Sequence, residues 1–547
     1  MMNIPIAAVA ALCSAAFIDR SDAFQLPLST RALLRHDRAT ALHSSIAADA
    51  PPSSLSSSTT ATVDTLDTSS EDSSEFNWFK AWYPIVPVEF LDYEKPHAFK
   101  LLGMDVVIWN DGELSESPAF QPRKEREKGA KKLVGNWRVF VDQCPHRKVP
   151  LSEGRVEDDG SLTCSYHAWR FNGEGETIHI PQISENELET IKSNPKSNCN
   201  SFPVQIVDGV LWTWPDSSDD AKIESALTPI PTNDYNGREV AEDRVWKGVW
   251  NFRELPYGHD FFIENVVDPA HVPVSHHNVV GSRYGELGLN MTTKTSLTKH
   301  GFSIGVKNNA EEGSGSTTSF TAPSQVLIEA PFGDDGAAQY LELYSSPSRP
   351  GFSNHVGRMV ILKDKSLEMP KLLQQFTLPL PKWANHILAS AFLHQDALFL
   401  HGQERSLAHN REYRTSQPAN DSYIKAVMPC STDKGVINFR NWMGRFAGGH
   451  IPFRGDTTMP AKNNDVVFDV WNSHTKHCSY CLAALKRLKM ARTLAFLTSA
   501  LIATIRPKFL SAVGSVISSL GFAGAGFGLS KLIGMFYKYE FSHADNH

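Results

Sequence analysis

Two short segments constrain this chain more than any other feature: Cys144-Pro145-His146 and Cys164-Ser165-Tyr166-His167. Each joins one cysteine to one histidine, and the seventeen residues between them include Gly154 and Gly160, so that each pair can sit at a loop tip. Two loops that each offer a thiolate and an imidazole make the inventory of a [2Fe-2S] cluster with both cysteines on one iron and both histidines on the other. Neutral imidazoles in place of charged thiolates raise the reduction potential and let a proton accompany the electron. A structural zinc site is the competing reading, but zinc fingers usually group cysteine with cysteine and histidine with histidine.

The rest of the chain has to house such loops. At 547 residues it exceeds the usual single-domain length, and two packed domains with tails are expected. Trp78 to Trp214 alternates short β runs, such as Val106 to Trp109, Trp137 to Val141 and Val210 to Trp214, with turn residues, which predicts a small all-β domain. A charged stretch, Arg123 to Lys132, reads as a solvated loop. Arg244 to Phe252 reads as strand, the stretch from Tyr257 as helix with short breaks, and mixed α+β character continues to about Trp471. A net charge of -7 without a long basic tract excludes a polyanionic partner, so no nucleic acid is expected. Seven cysteines in so long a chain do not make a disulfide scaffold; Cys199 and Cys430 are expected to be buried as small apolar residues.

The residues flanking the two pairs, Arg147 with Leu151-Ser152-Glu153-Gly154 and then Ala168-Trp169-Arg170-Phe171, closely resemble the signature of the Rieske oxygenases. Ala168 departs from it where the family has glycine, a change expected to cost little if that position keeps φ below zero. A second motif, Asp268-Pro269-Ala270-His271 followed by Val272-Pro273-Val274-Ser275-His276-His277, resembles the mononuclear-iron motif of that family. The resemblance implies that His271 and His276 bind iron and that Asp268 bridges a cluster histidine of one subunit to an iron histidine of the next, within a homotrimer. Two histidines need a carboxylate to complete a facial triad with positions open for dioxygen, and Asp396 fits the family's downstream placement, ahead of Glu404 and Asp260. His277 is the rival of His276 but breaks the spacing. His259, His394 and His401 are read as polar or supporting residues.

The C-terminal part carries Cys478-Ser479-Tyr480-Cys481 at the start of a predicted helix, where the first thiol would be acidified and suited to disulfide exchange, with thioredoxin as the corresponding partner. His474 and His477 offer the alternative of a Cys2His2 zinc site, and inert thiols are the third reading. Phe509 to Ser530 has no charged residue and is long enough to cross a bilayer; Thr493 to Ile505 is shorter. Gly524 and Gly528 share a helix face suited to close contact, and Lys486, Arg487, Lys489 and Arg492 are expected on the untranslocated side.

At the other end, Ile4 to Ile18 has the length of a signal-peptide apolar region, and Arg31, Arg35 and Arg38 among hydroxyl residues have transit-peptide composition. Together they resemble the bipartite presequence of complex plastids, joined at Ala23-Phe24. Ala50 to Glu75 is a spacer too polar to order itself. The expected organisation is signal peptide 1-23, transit peptide and linker 24-75, Rieske domain 76-220, mononuclear-iron domain 221-471, CxxC segment 472-492 and membrane anchor 493-547.

The combination of an all-β Rieske domain, an α+β helix-grip-like catalytic domain, a late CxxC and C-terminal anchors resembles the pheophorbide a oxygenase-like branch of the family from Phe76 to Tyr539. That resemblance implies a [2Fe-2S] cluster and a mononuclear Fe(II), reduced ferredoxin as donor, an apolar small-molecule substrate and a thylakoid or inner envelope membrane. A chlorophyll-derived tetrapyrrole such as pheophorbide a is the expected substrate, with Phe376, Leu378, Trp383, Ile387, Phe392 and Phe399 as candidate lining. A carotenoid or sterol substrate, or a redox component that oxygenates nothing, are the other readings.

Overall fold

The computed structural model describes residues 75–112, 135–233, 242–277, 282–285, 288–308, 315–332, 336–363, 369–409, 426–505 and 511–541, which belong to one compact unit. The presequence, most of the spacer and the Arg123 to Lys132 stretch lie outside the described residues.

The N-terminal third is all-β. Strands β1 (Tyr83–Pro87), β2 (His97–Leu101), β3 (Met104–Asn110) and β4 (Trp137–Val141) are followed by four very short ones, β5 (Arg155–Val156), β6 (Leu162–Thr163), β7 (Arg170–Phe171) and β8 (Thr177–His179). Then come β9 (Ser201–Phe202), β10 (Val204–Val207) and β11 (Val210–Thr213). They form three antiparallel sheets, ordered β2-β3-β4-β9, β5-β6-β7-β8 and β1-β11-β10. Val107, Trp109, Phe140, Leu151, Leu162 and Phe171 fill a core that also encloses Cys144, Cys164 and Cys199.

The catalytic part is built on one eight-stranded antiparallel sheet. Its strands are β12 (Val245–Lys247), β13 (Asn251–Leu255), β14 (Leu289–Thr298), β15 (Gly301–Asn308), β16 (Ser316–Thr321), β17 (Gln325–Pro331), β18 (Ala338–Arg349) and β19 (Phe352–Leu362). The Arg244 to Phe252 stretch is two strands, both paired to β19, with a break at Gly248 to Trp250. In β16 burial alternates residue by residue, whereas β19 is buried along nearly its whole length because it is covered on both faces. Helix α1 (His259–Val266) lies on β18 and β19, a 3-10 turn and the short α2 (Val272–Ser275) follow, and the 28-residue α3 (Lys382–His409) crosses beside β13.

The two parts share a core. Amides of Leu102 and Gly103 donate to the carbonyls of Pro347 and Ser348, and Asn354 Nδ2 donates to the Lys100 carbonyl at 2.9 Å. At Gly103, whose φ is +80, a Cβ would lie 2.1 Å from the Arg454 carbonyl oxygen, so only glycine fits where the hairpin meets this segment.

Two long helices close the described chain, α4 (Ser479–Ile505) and α5 (Ala512–Gly534), packed against each other and each apolar enough to cross a membrane by length and composition. Leu494, Leu497, Leu501, Val516, Ile517 and Leu520 are exposed, so the pair does not hide its apolar face in the protein core. Ser499 Oγ donates to the Ser519 carbonyl at 2.7 Å, and Phe496 meets Phe527 edge-on. The close approach is at Gly526, where a Cβ would lie 2.7 Å from the Phe496 ring; Gly524 and Gly528 have nothing within 4 Å, contrary to the expectation for them. Spacing alone marked a small-residue face, but the partner's bulk decides which glycine is used.

Candidate functional site

The two Cys/His loops are near copies. Lys148 N donates to Cys144 O at 2.9 Å and Cys144 N to Val149 O; Ala168 N donates to Cys164 O at 3.0 Å and Cys164 N to Trp169 O. Each loop therefore turns back on itself at its fifth residue, and those residues, Lys148 and Ala168, have φ of +60 and +56. The condition under which alanine in place of glycine would cost little at 168, a φ below zero, is therefore not met: both loops hold a non-glycine residue in the left-handed region, where Cβ crowds the backbone. Nothing in the residue type of Lys148 marks its handedness, which the loop's hydrogen bonds set.

The loops are also tied to each other. Ser165 Oγ donates to Glu153 O at 2.8 Å, and Gly154 is so near the second loop that a Cβ would sit 2.3 Å from Thr163 O. Asp142 accepts from the amide and hydroxyl of Ser152, fixing the Leu151 to Gly154 turn. Both cysteines are buried while His146 is exposed and His167 half-buried, with the two imidazoles 4.7 Å apart. Trp169 stacks on His146 at 4.9 Å. Burial pushes the Cys144 thiol up to about 11, and the adjacent Cys164 adds to the rise. Two buried cysteines side by side, with the imidazoles toward solvent, fit a cluster iron that would bind both as thiolates.

The second constellation lies between α1, α2 and α3. His271, His276 and Asp396 each present one donor atom, all within 4.8 Å of one another. His271 Nδ1 donates to the Asp268 carbonyl, and His276 Nδ1 donates to Gln395 Oε1 at 2.6 Å, so both rings turn Nε2 inward. Those nitrogens lie 3.7 and 3.1 Å from Asp396 Oδ2. The 3.1 Å approach is not aligned as a hydrogen bond, which leaves the buried Nε2 of His276 without a partner. An orphaned imidazole lone pair facing a carboxylate fits a divalent metal ion between them. Asp396 also accepts from Asn265 Nδ2 at 3.2 Å and from the Ser275 hydroxyl. Burial would raise its pKa, but the two histidines and these donors hold it well below the usual carboxylate range.

The competing residues are engaged elsewhere. Glu404 accepts from the Gly258 amide at 3.0 Å and from Arg405, and burial with Asp260 nearby raises its pKa to about 8. Asp260 pairs with Arg440 at 2.8 Å. His277 Nδ1 accepts from the Arg283 amide; the Nδ1 groups of His259, His394 and His401 meet the Ser345 hydroxyl and the Tyr539 and Pro256 carbonyls. Asp268 is partly exposed, with its side chain accepting from the Ala270 amide. Sequence reasoning missed Gln395, Asn265 and Ser275; Gln395 and Ser275 are each next to a named donor and Asn265 is six residues before His271, but amides and hydroxyls carry no metal signal of their own.

An apolar cavity of about 710 Å³ leads from these donors along the sheet and α3. Phe376, Leu378 and Phe392 line it together with Phe262, Leu341 and Leu343. Trp383, Ile387 and Phe399 do not: Trp383 packs on Phe536, Ile387 is core, and Phe399 is half exposed. On α3 the side chains follow the 3.6-residue period, so only the stripe that carries Phe392 faces the cavity.

His386, His474, Cys478 and Cys481 form a third cluster, also within 4.8 Å and fully buried. His477 is not in it and packs at a tilt against Phe99 instead. Cys430 is exposed, correcting the expected burial; Cys199 is buried as expected.

Residues 81–194 match the Rieske [2Fe-2S] domain family, and residues 320–413 match the pheophorbide a oxygenase family. The chain is 29% identical over 500 residues to the chloroplastic pheophorbide a oxygenase of Oryza sativa subsp. japonica, covering 86% of each. It is 28% identical over 498 residues to the chloroplastic flavonoid 8-hydroxylase 2 of Ocimum basilicum, again 86% of each. With the protochlorophyllide-dependent translocon component 52 of Arabidopsis thaliana it shares 27% over 463 residues, 76% of this chain and 75% of the relative. In these matches the chain is similar to the Rieske non-haem iron oxygenases of the pheophorbide a oxygenase-like branch, whose enzymes work with a [2Fe-2S] cluster and a mononuclear iron.

Proposed function

We propose that this protein oxygenates an apolar, chlorophyll-derived tetrapyrrole such as pheophorbide a, using dioxygen and electrons from reduced ferredoxin. The observation that carries the reading is the apolar cavity of about 710 Å³ that ends on His271, His276 and Asp396. Its volume lies in the usual range of about 300–1,000 Å³ for small-molecule sites, and its apolar lining suits a large flat pigment. A relative named for pheophorbide a oxygenase over most of the chain supports the same choice.

In this reading Cys144, His146, Cys164 and His167 hold the cluster, and His271, His276 and Asp396 hold the mononuclear iron. When bound, the cluster supplies single electrons and the mononuclear iron supplies dioxygen activation. The chain's own residues do the rest. Gln395 and the Asp268 carbonyl fix the imidazole tautomers, Phe392 stacks on His276 at 3.9 Å and shields it from water, and the cavity wall holds the substrate edge beside the donors. The imidazole edge of the cluster loops faces solvent and Asp268 is partly exposed. A homotrimer in which Asp268 joins a cluster histidine of the next subunit to His271 gives the electron a short path. The chloroplastic relatives and the apolar hairpin support a plastid location at a thylakoid or inner envelope membrane, with the catalytic part in the stroma.

The test is to supply reduced ferredoxin and isotopically heavy dioxygen with a panel of pheophorbide, chlorophyllide, protochlorophyllide, flavonoid, carotenoid and sterol. Heavy oxygen in a tetrapyrrole product is the expected result. Label found only in another class would refute the substrate, and no label in any product from a fully iron-loaded protein would favour a redox component instead.

A further inference from the structure

The third cluster belongs to neither catalytic metal position. His386 comes from α3, His474 and Cys478 from the turns before α4, and Cys481 from its first turn. The four side chains are 0–1% exposed. His386 Nδ1 lies 3.4 Å from Cys481 Sγ and 3.5 Å from Cys478 Sγ, and His474 Nε2 lies 3.3 Å from Cys481 Sγ. Zinc bound tetrahedrally, at about 2.3 Å to sulfur and about 2.0 Å to nitrogen, places those atoms about 3.5 Å apart. The edges of the cluster therefore already have the size of that tetrahedron.

The other nitrogen of each imidazole is also accounted for. His386 Nε2 donates to the Trp250 carbonyl at 3.2 Å, and His474 Nδ1 to the Phe252 carbonyl at 2.6 Å. Backbone carbonyls at the start of β13 thus set both tautomers so that a lone pair from each ring faces the sulfurs, the arrangement that supports metal-bound histidines. Phe90 covers both rings, at 5.0 and 6.1 Å. An exchanging dithiol needs a sulfur that a reductant can reach, and neither sulfur is at the surface.

We infer that His386, His474, Cys478 and Cys481 form a structural zinc(II) site. Two thiolates and two neutral imidazoles make a closed, four-coordinate set with the softness zinc favours and no position left for substrate. The site ties the base of the apolar hairpin to α3 and to β13. It is distinct from the oxygenase reading, because it shares no donor with the mononuclear-iron set, although His386 also lines the cavity.

The experiment uses the full chain, purified anaerobically in detergent. Expected are one zinc per chain besides the iron, and X-ray absorption at the zinc edge showing two sulfurs at about 2.3 Å and two nitrogens at about 2.0 Å. Cys481→Ser and His386→Gln should lose the zinc while His477→Gln keeps it, with the Rieske signal as the control for folding. If these variants do not fold, the wild-type absorption spectrum decides alone. A Cys478–Cys481 disulfide, two alkylatable thiols without bound metal, or iron in the sulfur-nitrogen site would each overturn the assignment. An absent Rieske signal with zinc in place would count against the oxygenase reading and leave this one standing.

Discussion

Oε1 of Gln395 lies 2.6 Å from Nδ1 of His276, so the residue immediately before Asp396 sets the tautomer of a histidine that Asp396 itself faces. One turn of α3 therefore supplies both the carboxylate and the group that aims the imidazole. Gln395→Leu should leave Nδ1 unpaired and weaken mononuclear iron by about 10–100-fold, the usual effect of losing an outer partner. Iron retention under mild chelation, with the cluster absorption as internal reference, checks it; unchanged retention would count against the role.

Asp396 and Glu404 should separate cleanly. Asp396→Ala is predicted to abolish turnover and lower iron affinity by more than the roughly 100-fold of an outer partner, with the cluster still reducible. Glu404→Gln should leave iron content and turnover close to wild type, because a carboxyl with a pKa of about 8 is largely protonated at neutral pH and glutamine mimics it. Parallel iron analysis and turnover measurements on the two variants decide between them.

Asp268 offers a test of electron delivery. Its backbone carbonyl, which receives His271 Nδ1, survives in Asp268→Asn, and asparagine can still cap the Ala270 amide. Iron and cluster should both remain while reoxidation of the reduced cluster by substrate and dioxygen slows. A variant that reoxidises at the wild-type rate in stopped-flow would remove Asp268 from the path.

Strain in the cluster loops is measurable. At a φ of +56, Ala168→Gly removes Cβ crowding worth about 1–2 kcal/mol and adds unfolded-chain entropy of about 0.5–1 kcal/mol, for a small net gain in stability. Ala168→Val should lower stability, since a branched side chain tolerates this region poorly. Thermal melts followed by cluster absorbance give the order Gly, Ala, Val from most to least stable.

In the hairpin, Gly526→Val should drive a side chain into Phe496 and destabilise the helix pair by about 1–3 kcal/mol, whereas Gly524→Val meets open space. Denaturation in detergent micelles, followed by a fluorophore pair across the two helices, reports the difference.

Much of this was legible because metal chemistry is written in few residue types at short spacing. The Cys/His loops, the Asp268 to His276 run and the strands around Val106 and Trp137 needed only local reading. Long-range partners did not yield to it. His386 sits 92 residues before Cys478 and has no neighbouring cysteine, so His477 looked the better companion until the fold turned it toward Phe99. The lining residues failed for a related cause: an apolar run on α3 does not say which stripe meets a cavity and which meets Phe536. The sign of φ at Ala168 was not legible, because backbone handedness is set by the loop's hydrogen bonds, which composition does not record.

After α5 the chain comes back. Val470 and Trp471 amides donate to the Tyr537 carbonyl, Thr475 Oγ1 donates to the Phe536 carbonyl at 2.7 Å, and His394 Nδ1 donates to the Tyr539 carbonyl at 2.8 Å. The hairpin is consequently a finger gripped at both knuckles, and no trailing tether. Its entry and exit are fastened to the same body, so a hairpin of this kind set in a membrane would hold the cavity's distance from that surface at two points. A one-pass anchor in its place would give such a membrane one point of hold and no fixed stand-off.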